Sequence, residues 1–172
     1  MILKNEDRIA SGAYSDVFKP SHSLLVFKLF IGAQHPTNFS QGLNRPEDDT
    51  RRRKTFAAEC EAYERAGLHP FLRNHIPGSF RRCVVEDVTE SAGSVPDCYM
   101  LGHCYAMEYV QGIARKFGEF PIDYLTHHIK EAVEAFHEVG INHLIDSSVF
   151  SPDDPEKFRF IDFAIEEFQA LW

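Results

Sequence analysis

Arg8-Ile9-Ala10-Ser11-Gly12-Ala13-Tyr14-Ser15-Asp16-Val17-Phe18-Lys19, followed after Pro20-Ser21-His22-Ser23 by Leu24-Leu25-Val26-Phe27-Lys28-Leu29-Phe30, decides the fold of this chain. Arg8–Ala10 and Asp16–Lys19 read as short strands, and the second turn leads into an apolar run that reads as a third. The small residues Ala10, Gly12 and Ser15 allow a sharp bend in the first turn. They also let the backbone approach an anion closely and direct N–H groups at it, although the same composition suits an ordinary hairpin. A lone lysine, Lys28, interrupts the apolar run. Removing an ammonium from water costs several kcal/mol unless a partner meets it. The strand is therefore either an edge with Lys28 in solvent or a buried strand whose lysine meets an acid.

Working outward, residues 33–50 are polar with two prolines and read as a mobile loop. From Arg51 the spacing predicts a helix, with Phe56, Cys60 and Tyr63 at i, i+4 and i+7, ended by Gly67 and Pro70. Glu59 lies beside that apolar line and is the acid placed to face the sheet, whereas Glu61 and Glu64 mark a solvated face. The run Arg51-Arg52-Arg53-Lys54 has the wrong sign for a helix start. It reads as a solvated face balanced by Glu47, Asp48 and Asp49, or alternatively as a docking patch for an acidic partner. Residues 81–88 and 98–110 carry strand-like runs on either side of Ser91-Ala92-Gly93-Ser94-Val95-Pro96. A further helix has Pro121 near its start, a stripe of Ile122, Leu125, Ile129, Val133 and Phe136, and Gly140 at its C-cap. His127-His128 on it reads as surface and packing. Ser148–Phe150 and Phe158–Ile161 form a hairpin across Ser151–Pro155, and Ile165–Trp172 reads as a terminal helical segment. Asp162 ends the second hairpin strand, a position suited to a divalent cation or to a hydrogen-bonded strand end. This order of elements is α+β.

Composition narrows the function classes. A length of 172 residues is a prior for one domain, and 44% apolar with 13% aromatic residues excludes disorder. With 26 acidic against 18 basic side chains the net charge is −8, which argues against nucleic acid as a partner. No apolar stretch approaches the roughly 18 residues of a membrane span, and Met1–Gly12 lacks the apolar run of a signal peptide. Cys60, Cys83, Cys98 and Cys104 have no CxxC spacing and read as reduced thiols. His103-Cys104 alone falls short of a tetrahedral zinc site. The expectation is a single cytoplasmic domain over residues 1–172 with no membrane contact, or one delivered into a host cell by a route without a cleaved signal.

The ordered set of glycine loop, strand lysine, helix glutamate and strand-end aspartate resembles the eukaryotic-type protein kinase family, in a minimal form. Ile9–Lys19 is similar to the kinase glycine-rich loop, with Ala10, Gly12 and Ser15 at its glycine positions and Val17 just beyond. Leu24–Lys28 resembles the strand that ends in the ATP-contacting lysine, and Ala57–Phe71 resembles the C-helix, with Glu59 as the glutamate that pairs with Lys28. Tyr105–Gly112 resembles the end of strand five and the hinge, with Met107 as gatekeeper and Glu108 to Val110 at the adenine edge. Phe136–His143 resembles the entry to the catalytic loop, and Phe158–Ala164 the Asp-Phe-Gly segment, with Asp162 as metal ligand and Ala164 in place of glycine. The resemblance implies an antiparallel-sheet N-lobe with its helix over residues 1–110 and a much reduced helical C-lobe over residues 111–172.

The resemblance further implies ATP and Mg²⁺ as cofactors, a protein Ser, Thr or Tyr hydroxyl as acceptor, and a monomer. The catalytic loop departs from the family pattern. Counting forward from His143 places Ile145 at the base position, and Ser148-Val149-Phe150 matches the segment that begins with a metal-binding asparagine in the family. The loop is two residues short, with Asp146 its one acid and Ser148 at the second metal position. The chain ends ten residues after Asp162, so the family's usual peptide-docking helices are not expected and the outline is similar to small bacterial effector kinases. Two functions follow as expectations: a minimal protein kinase with Asp146 as base, or a pseudokinase that binds nucleotide or serves as a scaffold for a partner protein.

Overall fold

The computed structural model describes residues 1–42, 45–90, 93–119, 129–144, 148–151 and 158–165. The chain divides into two compact units, one of residues 1–56 and 79–109, the other of residues 57–78 and 110–172. The described elements are mixed α and β, as the order of sequence patterns predicts, with two antiparallel sheets and one small mixed sheet.

In the first unit the strands in chain order are β1 (Ile2–Lys4), β2 (Arg8–Ser11), β3 (Ser15–Phe18), β4 (Leu25–Ile31), β5 (Arg81–Cys83), β6 (Asp87–Glu90), β7 (Gly93–Ser94) and β8 (Tyr99–Glu108). Five of them form an antiparallel sheet in the order β2-β3-β4-β8-β5. Side chains alternate across a strand, so register assigns each to a face. Phe27 and Leu29 of β4 stand opposite Ala106 and Cys104 of β8, and this face is buried with Leu3, Phe18, Val85, Val88 and Tyr99 beneath the small β1-β6-β7 sheet. Val26, Lys28 and Phe30 occupy the other face, where the Phe30 ring meets Phe56 at 5.4 Å between centroids. Burial of both faces explains why Leu25–Ile31 is apolar almost throughout instead of alternating with polar residues.

Residues 33–50 are not a loop throughout. They contain α1 (Pro36–Gln41) and the first turn of α2 (Pro46–Leu68), which starts five residues before Arg51. Pro46 supplies the fixed φ favoured at a helix start, and the Arg45 N–H donates to the Asp48 carboxylate at 3.0 Å, one half of a capping box. The first turn therefore carries Glu47, Asp48 and Asp49, the correct sign for the macrodipole, and the basic run lies further in. That run is also not uniformly solvated: Arg52 is fully buried and donates to Asp49 at 2.8 Å.

The second unit contains the rest of α2 from Ala57, with Cys60, Ala62, Tyr63 and Ala66 buried. Its strands β9 (Ile113–Lys116), β10 (Ser148–Ser151) and β11 (Arg159–Ile161) form an antiparallel sheet in the order β11-β10-β9, so the expected hairpin gains a third strand. Helix α3 (Lys130–Glu138) buries Ala132, Ala135 and Phe136, with Ile129 just ahead of it. Phe136 packs on Phe160 and Phe163 at 5.0 and 5.1 Å. Gly140 ends α3 with φ +76, and Ile141 N–H donates to Phe136 O at 2.9 Å, the left-handed cap predicted there. Pro121, Ile122, Leu125, His127 and His128, and the segment after Ile165, lie outside the described residues. Among the described residues no helix is long and apolar enough to cross a membrane.

Candidate functional site

The first unit holds the loop and the lysine. β2 and β3 form a hairpin whose turn is closed by Gly12 N–H donating to Ser15 O at 2.8 Å. A Cβ at Gly12 would stand 3.4 Å from that oxygen, at the edge of ordinary van der Waals contact. Ala10 and Gly12 are exposed, Ser15 is buried, and Val17 stands directly opposite Lys28 on β4. The Tyr14 hydroxyl is raised from its ordinary range by burial, partly offset by a hydrogen bond from Arg51 on α2, which ties the turn to the helix.

Below the turn lies a clamp that the sequence reading did not single out. Asp16 is fully buried, and its Oδ2 accepts from the Tyr99 hydroxyl at 2.9 Å, Arg8 Nη1 at 3.0 Å and His35 Nε2 at 3.3 Å. Burial alone would push this carboxyl upward; hydrogen bonds from His35, Arg8 and Tyr99 outweigh it and hold the group below its ordinary value. Tyr99 is raised in turn, by burial first and then by the Asp16 charge. The only sequence signal was an acid next to Val17 and Phe18 in a short strand.

Lys28 is 7% exposed, so β4 is not an edge and the lysine is not in solvent. Its Nζ lies 5.8 Å from the Tyr105 ring centroid and 5.9 Å from that of Phe30. Both distances are within the range of cation–π attraction. Met107 is buried opposite Val26, and Glu108 is exposed opposite Leu25 at the end of β8. Beyond it, Tyr109 N–H donates to Leu24 O at 2.9 Å, and Val110 is half-buried at the start of the second unit's later segment.

The second unit brings Glu59, Tyr63 and Asp162 together. Glu59 is buried on α2, and Tyr63 lies one turn further along the same helix. The Tyr63 ring packs on Phe163 at 4.4 Å. Its hydroxyl is raised well above the ordinary range by burial, then by the negative charges of Asp162 and Glu59. Asp162 itself has φ +60, a left-handed conformation that costs a non-glycine residue energy. Packing holds it there: β11 precedes it, Phe163 is fully buried, and Ala164 forms a two-way backbone bridge with His143 at 3.3 and 3.4 Å. Tyr63 was legible only as one of an apolar stripe. Its role beside Asp162 had no separate signal in the sequence.

Asp146 lies outside the described residues. The backbone of Ser148 is on β10, opposite Ile161, which immediately precedes Asp162. Among the described residues no three His, Cys, Asp or Glu side chains gather as a metal cage. Mg²⁺ needs none, since one or two carboxylates with phosphate oxygens and water satisfy it. The half-exposed Asp162 carboxylate is a hard oxygen donor of that type. No family model matches the chain, and no curated protein matches it.

Proposed function

We propose that this protein is a minimal, kinase-like phosphotransferase that binds ATP with Mg²⁺ and transfers the γ-phosphoryl group to a protein hydroxyl. Asp162 carries the reading. A non-glycine residue at φ +60, fixed at a strand end by buried Phe163 and by the His143–Ala164 bridge, is the kind of strained position that concentrates at functional sites. Two further observations support it: a lysine buried in the middle of a central strand, and a buried glutamate one turn before Tyr63, which packs on Phe163, the residue after Asp162.

Phosphoryl transfer relies on positioning and on neutralising phosphate charge. In this reading Lys28 holds the α- and β-phosphates, Glu59 orients Lys28, and the exposed turn at Ala10 and Gly12 supplies N–H groups, with Ser15 and Val17 shaping it. Met107, Glu108 and Val110 border the adenine. Asp162, with Ser148, would hold Mg²⁺, which supplies charge neutralisation at the phosphates, and Asp146 accepts the proton of the attacking hydroxyl. A net charge of −8 makes such a local cationic pocket necessary, because the overall field repels ATP. One observation favours a pseudokinase instead: the short loop with Ile145 at the base position and Ser148 where an amide is expected.

The test is thermal unfolding with ATP and Mg²⁺, followed by incorporation of labelled phosphate. At 100-fold over Kd a ligand of the folded state adds about 2.7 kcal/mol, a rise in Tm of about 5–10 °C for a chain of this size. The proposal expects this rise to need both Mg²⁺ and Asp162, and expects incorporation to vanish in Asp162→Asn and Lys28→Met. A rise without turnover selects the pseudokinase. No rise at millimolar ATP refutes both nucleotide readings.

A further inference from the structure

Cys83 on β5 and Cys104 on β8 are direct cross-strand partners, and their Sγ atoms share a hydrogen bond at 3.4 Å. Directly opposed residues of an antiparallel pair have Cα atoms about 4.5–5.5 Å apart, inside the roughly 4.4–6.8 Å window of a disulfide. Bond formation therefore needs the sulfurs to close by about 1.4 Å to reach ~2.0 Å. The strand that must yield, β5, is three residues long and, among the described residues, lies at the edge of the sheet beside β8.

We propose that Cys83 and Cys104 form a reversible dithiol–disulfide couple that responds to hydroperoxides. Their environments assign separate roles. Cys83 is half-buried and so open to a small oxidant, whereas Cys104 is fully buried in the apolar cluster with Leu29 and Ala106. Cys83 Sγ donates to Cys104 Sγ, and its hydrogen bond with Cys104, joined by the Arg81 charge against the effect of burial, holds the Cys83 thiol below its ordinary range. Of the other two cysteines, Cys98 donates to Gln34 O at 3.8 Å and is raised by burial, and Cys60 belongs to the second unit.

The chemistry balances in two steps. The Cys83 thiolate attacks the terminal peroxide oxygen, an S–O bond forms as the O–O bond breaks, and the departing oxygen takes a proton and leaves as water from hydrogen peroxide or as an alcohol from an organic hydroperoxide. The Cys104 sulfur then attacks the Cys83 sulfenic acid, an S–S bond forms as the S–O bond breaks, and water leaves with the Cys104 proton. Two thiols give up two electrons to one peroxide. Cys104 stands opposite Leu29 and beside Tyr105, whose ring centroid lies 5.8 Å from Lys28 Nζ, so the new bond staples the edge strand to the strand paired with the one that carries that lysine. The couple stands on this geometry alone and does not depend on nucleotide binding.

The test uses the full chain, reduced and then exposed to a small excess of hydrogen peroxide. Alkylation and intact mass should show a fall from four reactive thiols to two with a loss of two hydrogens, and digestion should yield a linked Cys83–Cys104 peptide. The reaction should reverse with dithiothreitol, and the oxidised form should unfold at higher temperature, since closing the loop constrains the unfolded chain. In Cys104→Ser the reaction should stop at a sulfenic acid trapped on Cys83 by dimedone. Four reactive thiols after peroxide, a linkage that involves Cys60 or Cys98, or dimedone found on Cys104 in Cys83→Ser at the rate of Cys83 in Cys104→Ser would each overturn the assignment.

Discussion

Asp16→Asn removes one charge and almost no volume, which makes it the sharpest probe of the clamp beneath the hairpin turn. Three donors converge on Oδ2 of a fully buried carboxylate: Tyr99 Oη at 2.9 Å, Arg8 Nη1 at 3.0 Å and His35 Nε2 at 3.3 Å. Bonds to an ionised acceptor are about twice as strong as neutral ones. An amide oxygen keeps an acceptor but forfeits that half, roughly 1 kcal/mol for each buried bond. The Arg8 side chain is 32% exposed and its bond is discounted for solvent. The buried Tyr99 and His35 bonds carry most of the loss, for a total of about 2–3 kcal/mol. For a chain of this length that is a Tm lower by about 5–10 °C.

The pH dependence tests the same reasoning independently. The folded-state carboxyl is held below 3.8, its ordinary value, so its stabilisation is complete at neutral pH and persists down toward that value. It is lost as pH falls through the lower folded value. Urea unfolding followed by circular dichroism should therefore give a constant wild-type advantage from pH 7 to about pH 5, which narrows below pH 4. A difference under 0.5 kcal/mol at pH 7, or one that widens on acidification, refutes the clamp.

Two further outcomes can be checked by the same thermal unfolding. Gly140→Ala places a Cβ in a left-handed residue at the end of α3, where it would also meet Arg65 Nη1 at 2.9 Å. The flexible guanidinium can move aside, so backbone strain sets the cost at about 1 kcal/mol, a fall of roughly 2–4 °C. Asp162→Gly relieves the strain at φ +60, which offsets the added entropy of the unfolded chain; its Tm should be unchanged or up to about 2 °C higher. Any Mg²⁺-dependent nucleotide shift should be abolished in the same variant, and a fall of more than about 4 °C in its Tm would show that the left-handed backbone is not strained.

Where structure follows a period along the chain, the sequence displayed it. The strands of residues 8–31, the Phe56-Cys60-Tyr63 stripe and the Gly140 cap all rest on spacings of two, three or four residues, or on one conformational requirement. What stayed hidden depends on distant partners. Strand β1 is three residues with one buried side chain, Leu3, and exists because it pairs in parallel with β6, more than eighty residues on. The Asp16 clamp likewise needs Tyr99, 83 residues away. The α2 start is a different case. Pro46 and Asp48 carried the cap signal, but polarity and proline content over residues 33–50 pointed to a loop instead. Burial of Arg52 inside a run of four cations also has no local signature, because charge predicts exposure until packing overrides it.

Asp162 differs from the other strained residues in a way that bears on function. Among the described residues three non-glycine positions have positive φ: His22, Ser79 and Asp162. His22 and Ser79 are exposed in turns, where a side chain has room and glycine would serve equally well. Gly140 shows the other solution, a glycine where the backbone needs the left-handed form and no side chain is used. At Asp162 neither condition holds: Phe160 and Phe163 on either side are fully buried, and the residue is fixed between a strand and a bridge. Packing strong enough to impose that conformation would impose it on glycine at lower cost. A carboxylate there, beside the Phe163 ring on which Tyr63 packs, is what the proposed metal-holding role of Asp162 requires.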